Sequence, residues 1–161
     1  MLGQTPVATA LLKSQAPKAV LLIRLMVGGV FLSEGIQKFL FPADVGAGRF
    51  LRIGLPAPEF LAAWVAVWEI TAGVLLLVGL LTRLAAIPMI VNMLVAIAVT
   101  KIPILMSDGF WKMAHESRTD YAMLLGAMFL VIVGGGALSL DAILVLRRRN
   151  ISASSAQEEG R

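Results

Sequence analysis

The chain has 161 residues, of which 58% are hydrophobic before its 15 glycines are counted and only 15% are charged. A soluble domain carries roughly 45–50% apolar residues with glycine included and about 25% charged ones, so an ordinary water-soluble globule is excluded and lipid is the expected solvent. The net charge of +4 is spread over loop positions apart from Arg147, Arg148 and Arg149, which directly follow an apolar run, so the basic balance reads as topology and stop-transfer signalling and no nucleic-acid partner is expected.

Residues 1–18 contain Pro6, Pro17, Lys13 and Lys18 and no apolar core followed by a small-residue cleavage site, which predicts an uncleaved cytoplasmic tail. Four apolar runs follow, at about 19–40, 60–81, 84–100 and 121–146, as expected of crossings that use around 20 residues each at about 1.5 Å per residue and a hydrocarbon core of about 30 Å. Between the first two, Phe41 to Glu59 is broken by Pro42, Gly46, Gly48, Gly54, Pro56 and Pro58 and reads as an ordered loop. Only the short hinge at Thr82 and Arg83 separates the second run from the third, which predicts tight antiparallel packing, and Pro88 predicts a kink in the third. Lys101 to Asp120 reads as a polar loop with an apolar beginning, in which Phe110 and Trp111 are interfacial anchors. A tail from 147 to 161 completes an all-α, polytopic, four-helix transmembrane bundle. Arg83 and the arginine triplet place both termini inside the cell (N-in/C-in).

Ionisable residues inside spans cost a few kcal/mol unless paired or hydrated, so Arg24, Glu34, Glu69 and Asp141 demand partners. Arg24, Gly28, Phe31, Gly35 and Lys38 keep one helical face, and Glu34 lies one turn before Lys38. Ala62, Ala66, Glu69 and Gly73 form a small-residue face that turns Glu69 into the bundle. Arg24 and Asp141 each lie about 8 Å from the same end of their helices, which predicts a structural ion pair between the first and last spans; snorkelling of Asp141 to Arg147 or Arg148 is the other reading. Glu34, Lys38 and Glu69 are expected to line an outward-facing polar pocket, covered by His115 and Arg118, with Thr119 or Asp120 capping the last helix. These five residues are the candidates for ligand or proton handling. Gly134, Gly135 and Gly136 permit close helix contact or a flat ligand against bare backbone.

The absence of cysteine and the single histidine leave no thiolate zinc site, no iron–sulfur cluster and no two-histidine haem within one protomer, and no metal site is expected. Any redox role therefore needs a partner protein that supplies electrons.

The ordered set Arg24 to Gly28, Phe31, Gly35, Lys38, Phe41-Pro42-Ala43, Gly54-Leu55-Pro56, Glu69 with Gly73, Gly79 to Arg83, and Gly134 to Gly136 followed by Ser139-Leu140-Asp141 resembles the DoxX family of small four-helix membrane proteins. Glu34 departs from that pattern at the position before Gly35. The resemblance implies a bundle in the bacterial inner membrane, linked in some members to quinone-reducing redox work, and hence a quinone as the cofactor to consider. A membrane redox subunit using Glu69 and Lys38 is one reading. A non-catalytic assembly or small-solute binding protein, in which the charges fix helix register, is the second. A small transporter completed by a homo-oligomer is the third.

Overall fold

The computed structural model describes residues 16–144, whose regular elements are all helices, with no strand among them. Helix α1 spans Ala16–Leu40 and stops where Pro42 restricts the residue before it. The segment expected to be a plain loop contains a short helix, α2, at Ala47–Arg52. Helix α3, Pro58–Val78, starts with proline in its first turn and Glu59 beside its positive end. It ends at Gly79 in the left-handed region (φ 71°), with the Leu80 N–H donating to the Leu75 carbonyl at 2.9 Å, so the chain reverses at once into α4, Thr82–Ala96.

Pro88 lies inside α4, which continues through it into a π-helical turn, Ile97–Lys101, and then α5, Ile102–Asp108. The third apolar run is thus one helical rod from Thr82 to Asp108, and most of the expected polar loop after Lys101 is helical, completed by α6 at Phe110–Glu116. Ile102, Ile104, Leu105 and Met106 carry the apolar character past Lys101. The widened turn sits where Pro103 has no N–H to return to the preceding turn.

Helix α7, Arg118–Val133, departs further from expectation, because it stops at Gly134 (φ 84°, ψ −163°) and the chain runs irregularly until a helix resumes at Leu140. At 16 residues it is about 24 Å long, short of a full hydrocarbon core. Among the described residues, three helical segments are long and apolar enough to cross a membrane: Lys18–Leu40, Pro58–Val78 and Thr82–Asp108.

Helix α1 packs chiefly on α3, and α4 on α7. The first contact is backbone to backbone: a Cβ on Gly28 would fall 2.9 Å from the Gly73 carbonyl oxygen, and one on Gly73 would fall 2.7 Å from the Leu32 nitrogen. Small residues permit this approach, which supplies dispersion contacts where lipid removes the hydrophobic drive between helices. Val27, Phe31, Leu76, Met89 and Leu130 fill the centre, while Leu22, Trp64, Val67, Val91 and Ile132 face outward, as expected for a surface solvated by acyl chains.

Candidate functional site

Two polar clusters occupy opposite ends of the bundle. At the end formed by the α3–α4 turn, Arg24 is 1% exposed and donates to four backbone carbonyls: Leu76 at 2.8 Å, Leu77 at 2.6 Å, Gly135 at 3.1 Å and Leu138 at 2.5 Å. These oxygens lie at the α3 C-terminus and in the break after α7, where helical carbonyls lack partners and carry partial negative charge. Asp141 takes a different partner, accepting from the backbone N–H groups of Leu81 at 2.8 Å and Thr82 at 3.0 Å at the start of α4.

The predicted Arg24–Asp141 ion pair is therefore absent from the contacts among described residues. Both residues stand at the same end, but each is engaged by an unpaired helix terminus. The glycine run serves packing here, since a Cβ on Gly135 would fall 2.7 Å from Thr82 Oγ1 and 2.8 Å from Ser139 Cβ. The alternative partners Arg147 and Arg148 lie outside the described residues.

The second cluster is built around Glu69, which is 3% exposed on α3. Its Oε2 accepts from Lys38 Nζ at 2.6 Å and its Oε1 from Asn92 Nδ2 at 2.8 Å, tying α1, α3 and α4 together at one carboxylate. Lys38 Nζ also lies 3.8 Å from Glu34 Oε2, one turn back on α1. The Gly28–Gly73 approach and a matching one at Gly35, whose Cβ would fall 2.8 Å from the Ala66 carbonyl oxygen, bring α1 close enough for Lys38 to reach Glu69.

A cavity of about 360 Å³ opens beside this carboxylate, lined by Glu34, Lys38, Glu69 and Asn92, by Val45, Arg49 and Phe50 of the α2 region, and by apolar side chains that include Phe31, Met93 and Met123. Its wall continues over Thr100 and Lys101 of the π-helical turn to Glu116, Thr119 and Asp120.

Of the five candidate residues, Glu34, Lys38 and Glu69 come together as expected. His115 and Arg118 do not line the cavity; both are exposed, with the Arg118 Nη1 atom 2.9 Å from His115 Nδ1 and 2.6 Å from Nε2. A helical α6 turns them away and brings Glu116 and Thr119 to the wall. Asp120 does not cap α7, whose helical residues begin at Arg118. It forms an ion pair with Lys101, whose Nζ lies 3.1 Å from its Oδ2, and Lys101 is 8% exposed.

Sequence reasoning overlooked Asn92 and Lys101 as site residues. Asn92 carried a signal, being polar in an apolar run as Glu69 is. Lys101 carried none, because a π-helical turn shifts the angular phase on which helical-face arguments depend.

The fold and the site define a small all-helical integral membrane protein with a buried Glu–Lys–Asn cluster at an internal cavity. The chain belongs to the DoxX family, whose model matches residues 19–102. It is 51% identical over 143 residues to an "Uncharacterized membrane protein" of Mycobacterium tuberculosis, covering 85% of this chain and 88% of that one. It is also 30% identical over 136 residues to "Putative oxidoreductase CatD" of Bacillus subtilis, covering 84% and 93%. No solved structure gives a significant match.

Proposed function

We propose that this protein is the membrane subunit of a quinone-linked redox system and that the cavity beside Glu69 receives the quinone headgroup. The observation that carries this reading is the placement of a carboxylate, an ammonium and an amide on the wall of one cavity at membrane depth. Polar groups there are costly and mark functional pathways. The relative named as an oxidoreductase points the same way.

The residues suit such a ring. The cavity, about 360 Å³, lies at the small end of the range for ligand pockets and matches a headgroup better than a headgroup with a long tail. Lys38 and Asn92 have N–H groups beyond those bound to Glu69, and Phe31, Met93 and Met123 supply apolar wall.

A bound quinone would supply the capacity to take two electrons and two protons. Lys38 and Asn92 donate to a ring oxygen and fix its position. Glu69, held between them, exchanges a proton at Oε2 with Lys38 Nζ, and Glu34 is the next carboxylate outward. Electrons come from a partner protein, because the chain has no cysteine and a single histidine.

In this reading α7 and the segment after it form a fourth crossing, and both termini face the cytoplasm of a bacterial inner membrane. Arg83 lies at the same end of the bundle as the start of α1, which supports that orientation. Titration of the full chain in lipid nanodiscs with menadione (2-methyl-1,4-naphthoquinone), a tail-free probe, is the test. Saturable binding is expected in wild type and in Trp64→Ala, an outward-facing control, and is expected to be lost in Glu69→Gln. Unchanged binding in Glu69→Gln overturns the assignment.

A further inference from the structure

We infer that Lys101 is a second anchoring residue of the same cavity, and that the cavity takes a flat, uncharged ring with hydrogen-bond acceptors on two opposite edges. This rests on the proposed headgroup site and names the chemistry that the site selects.

The cavity wall carries two separate donor groups. Lys38 and Asn92 surround Glu69 on α1 and α4, while Lys101 stands on the π-helical turn beside Asp120 of α7. Lys101 is held there by its burial and by the 3.1 Å ion pair with Asp120, and its ammonium carries three donors. Asn92 and Lys101 are about 13 Å apart along the helix axis, a span that both side chains, two hydrogen bonds of about 3 Å and one ring can bridge. A ring with a single acceptor satisfies only one of the two groups.

Charge selects among acceptors. Glu34, Glu69, Glu116 and Asp120 line the cavity against Lys38, Arg49 and Lys101, so four carboxylates face three cations. With no excess of positive charge, a permanently anionic ligand such as a sulfonate or phosphate gains nothing from entering. A neutral dicarbonyl ring gains a charge-assisted bond at each edge.

Paired titrations of nanodisc-embedded protein with menadione and with 2-methylinden-1-one, a flat bicyclic ring with a single carbonyl, test this inference. Wild type is expected to prefer menadione by about 10-fold, the worth of one hydrogen bond from a charged donor. Lys101→Met is expected to narrow the preference to about 2-fold by weakening menadione alone, and Lys101→Arg to retain it. If Lys101→Met does not fold, the Lys101→Met/Asp120→Ala double variant, which removes the donor without stranding the carboxylate, takes its place with the same expectation. Equal affinity of wild type for the two rings, or a preference that survives loss of Lys101, overturns the second anchor and leaves the headgroup site standing. Failure of both rings to bind wild type overturns the headgroup site and the anchor with it.

Discussion

Lys38 on α1 and Glu69 on α3 meet at 2.6 Å with side chains only 9% and 4% exposed, and the carboxylate is shared with Asn92 on α4. Three helices are thus referred to one ion pair, whose stability depends on both charges being present. Deleting one member of a buried pair leaves an uncompensated charge and typically costs about 3–5 kcal/mol, whereas replacing both can be neutral. Lys38→Met is therefore expected to lower the unfolding midpoint in detergent sharply, and the Lys38→Met/Glu69→Gln double variant to recover most of it. A double variant no more stable than Lys38→Met would show that the charges are not coupled in this way.

Arg24 offers a contrasting case, since its four recorded partners are carbonyl oxygens. Lysine at that position has three donors and no planar fork. Arg24→Lys is expected to destabilise the protein by about 2–3 kcal/mol, consistent with the loss of charge-assisted bonds to buried acceptors. Exchanging the two charges, as Arg24→Asp with Asp141→Arg, should fail to rescue assembly, because each side chain answers a helix terminus of opposite sign. Size-exclusion profiles of the single and double variants would read this directly, and recovery in the exchanged protein would restore the direct pair.

Asp141 caps α4 from outside the helix and secures a strained turn, for Leu81 sits at φ 50° without being glycine. Asp141→Ala is expected to cost about 0.5–2 kcal/mol and Asp141→Asn less, since an amide oxygen still accepts from one of the two N–H groups. Hydrogen exchange at the first turn of α4 should accelerate in Asp141→Ala while the Glu69 end of the bundle remains protected.

Gly73 is where α1 and α3 touch, with no room for a side chain. Gly73→Ala is expected to push the helices apart, lengthen the Lys38–Glu69 contact and reduce stability by about 1–3 kcal/mol. Menadione affinity should fall in parallel. Gly29→Ala on α1, where a Cβ would meet nothing within 4 Å, should leave both quantities unchanged.

His115 and Arg118 lie outside the cavity wall, so His115→Ala and Arg118→Ala should leave menadione affinity within about 2-fold of wild type, a change of less than 0.5 kcal/mol. A larger loss in either variant would return these residues to the site.

Much of this protein is set by composition and spacing. The apolar runs determine helices in lipid, because a backbone without water must satisfy its own hydrogen bonds, and the small-residue stripes at Gly28, Gly35 and Gly73 determine which faces meet. The same logic marks Glu34, Lys38 and Glu69 as one group, since charges within such runs must converge. What the tertiary structure decided was how partners were shared out. Arg24 and Asp141 have matching depth, but helix termini offer stronger claims on them than they have on each other. Lys101 meets Asp120 on the cavity wall because a π-helical turn resets the register at the end of α4, and the last run breaks at Gly134 because its glycines must pack over the α3–α4 turn. Periodicity reports which face of one helix a residue occupies. It does not report unpaired backbone groups on neighbouring elements, and at the Arg24 and Asp141 end of this bundle those groups chose the partners.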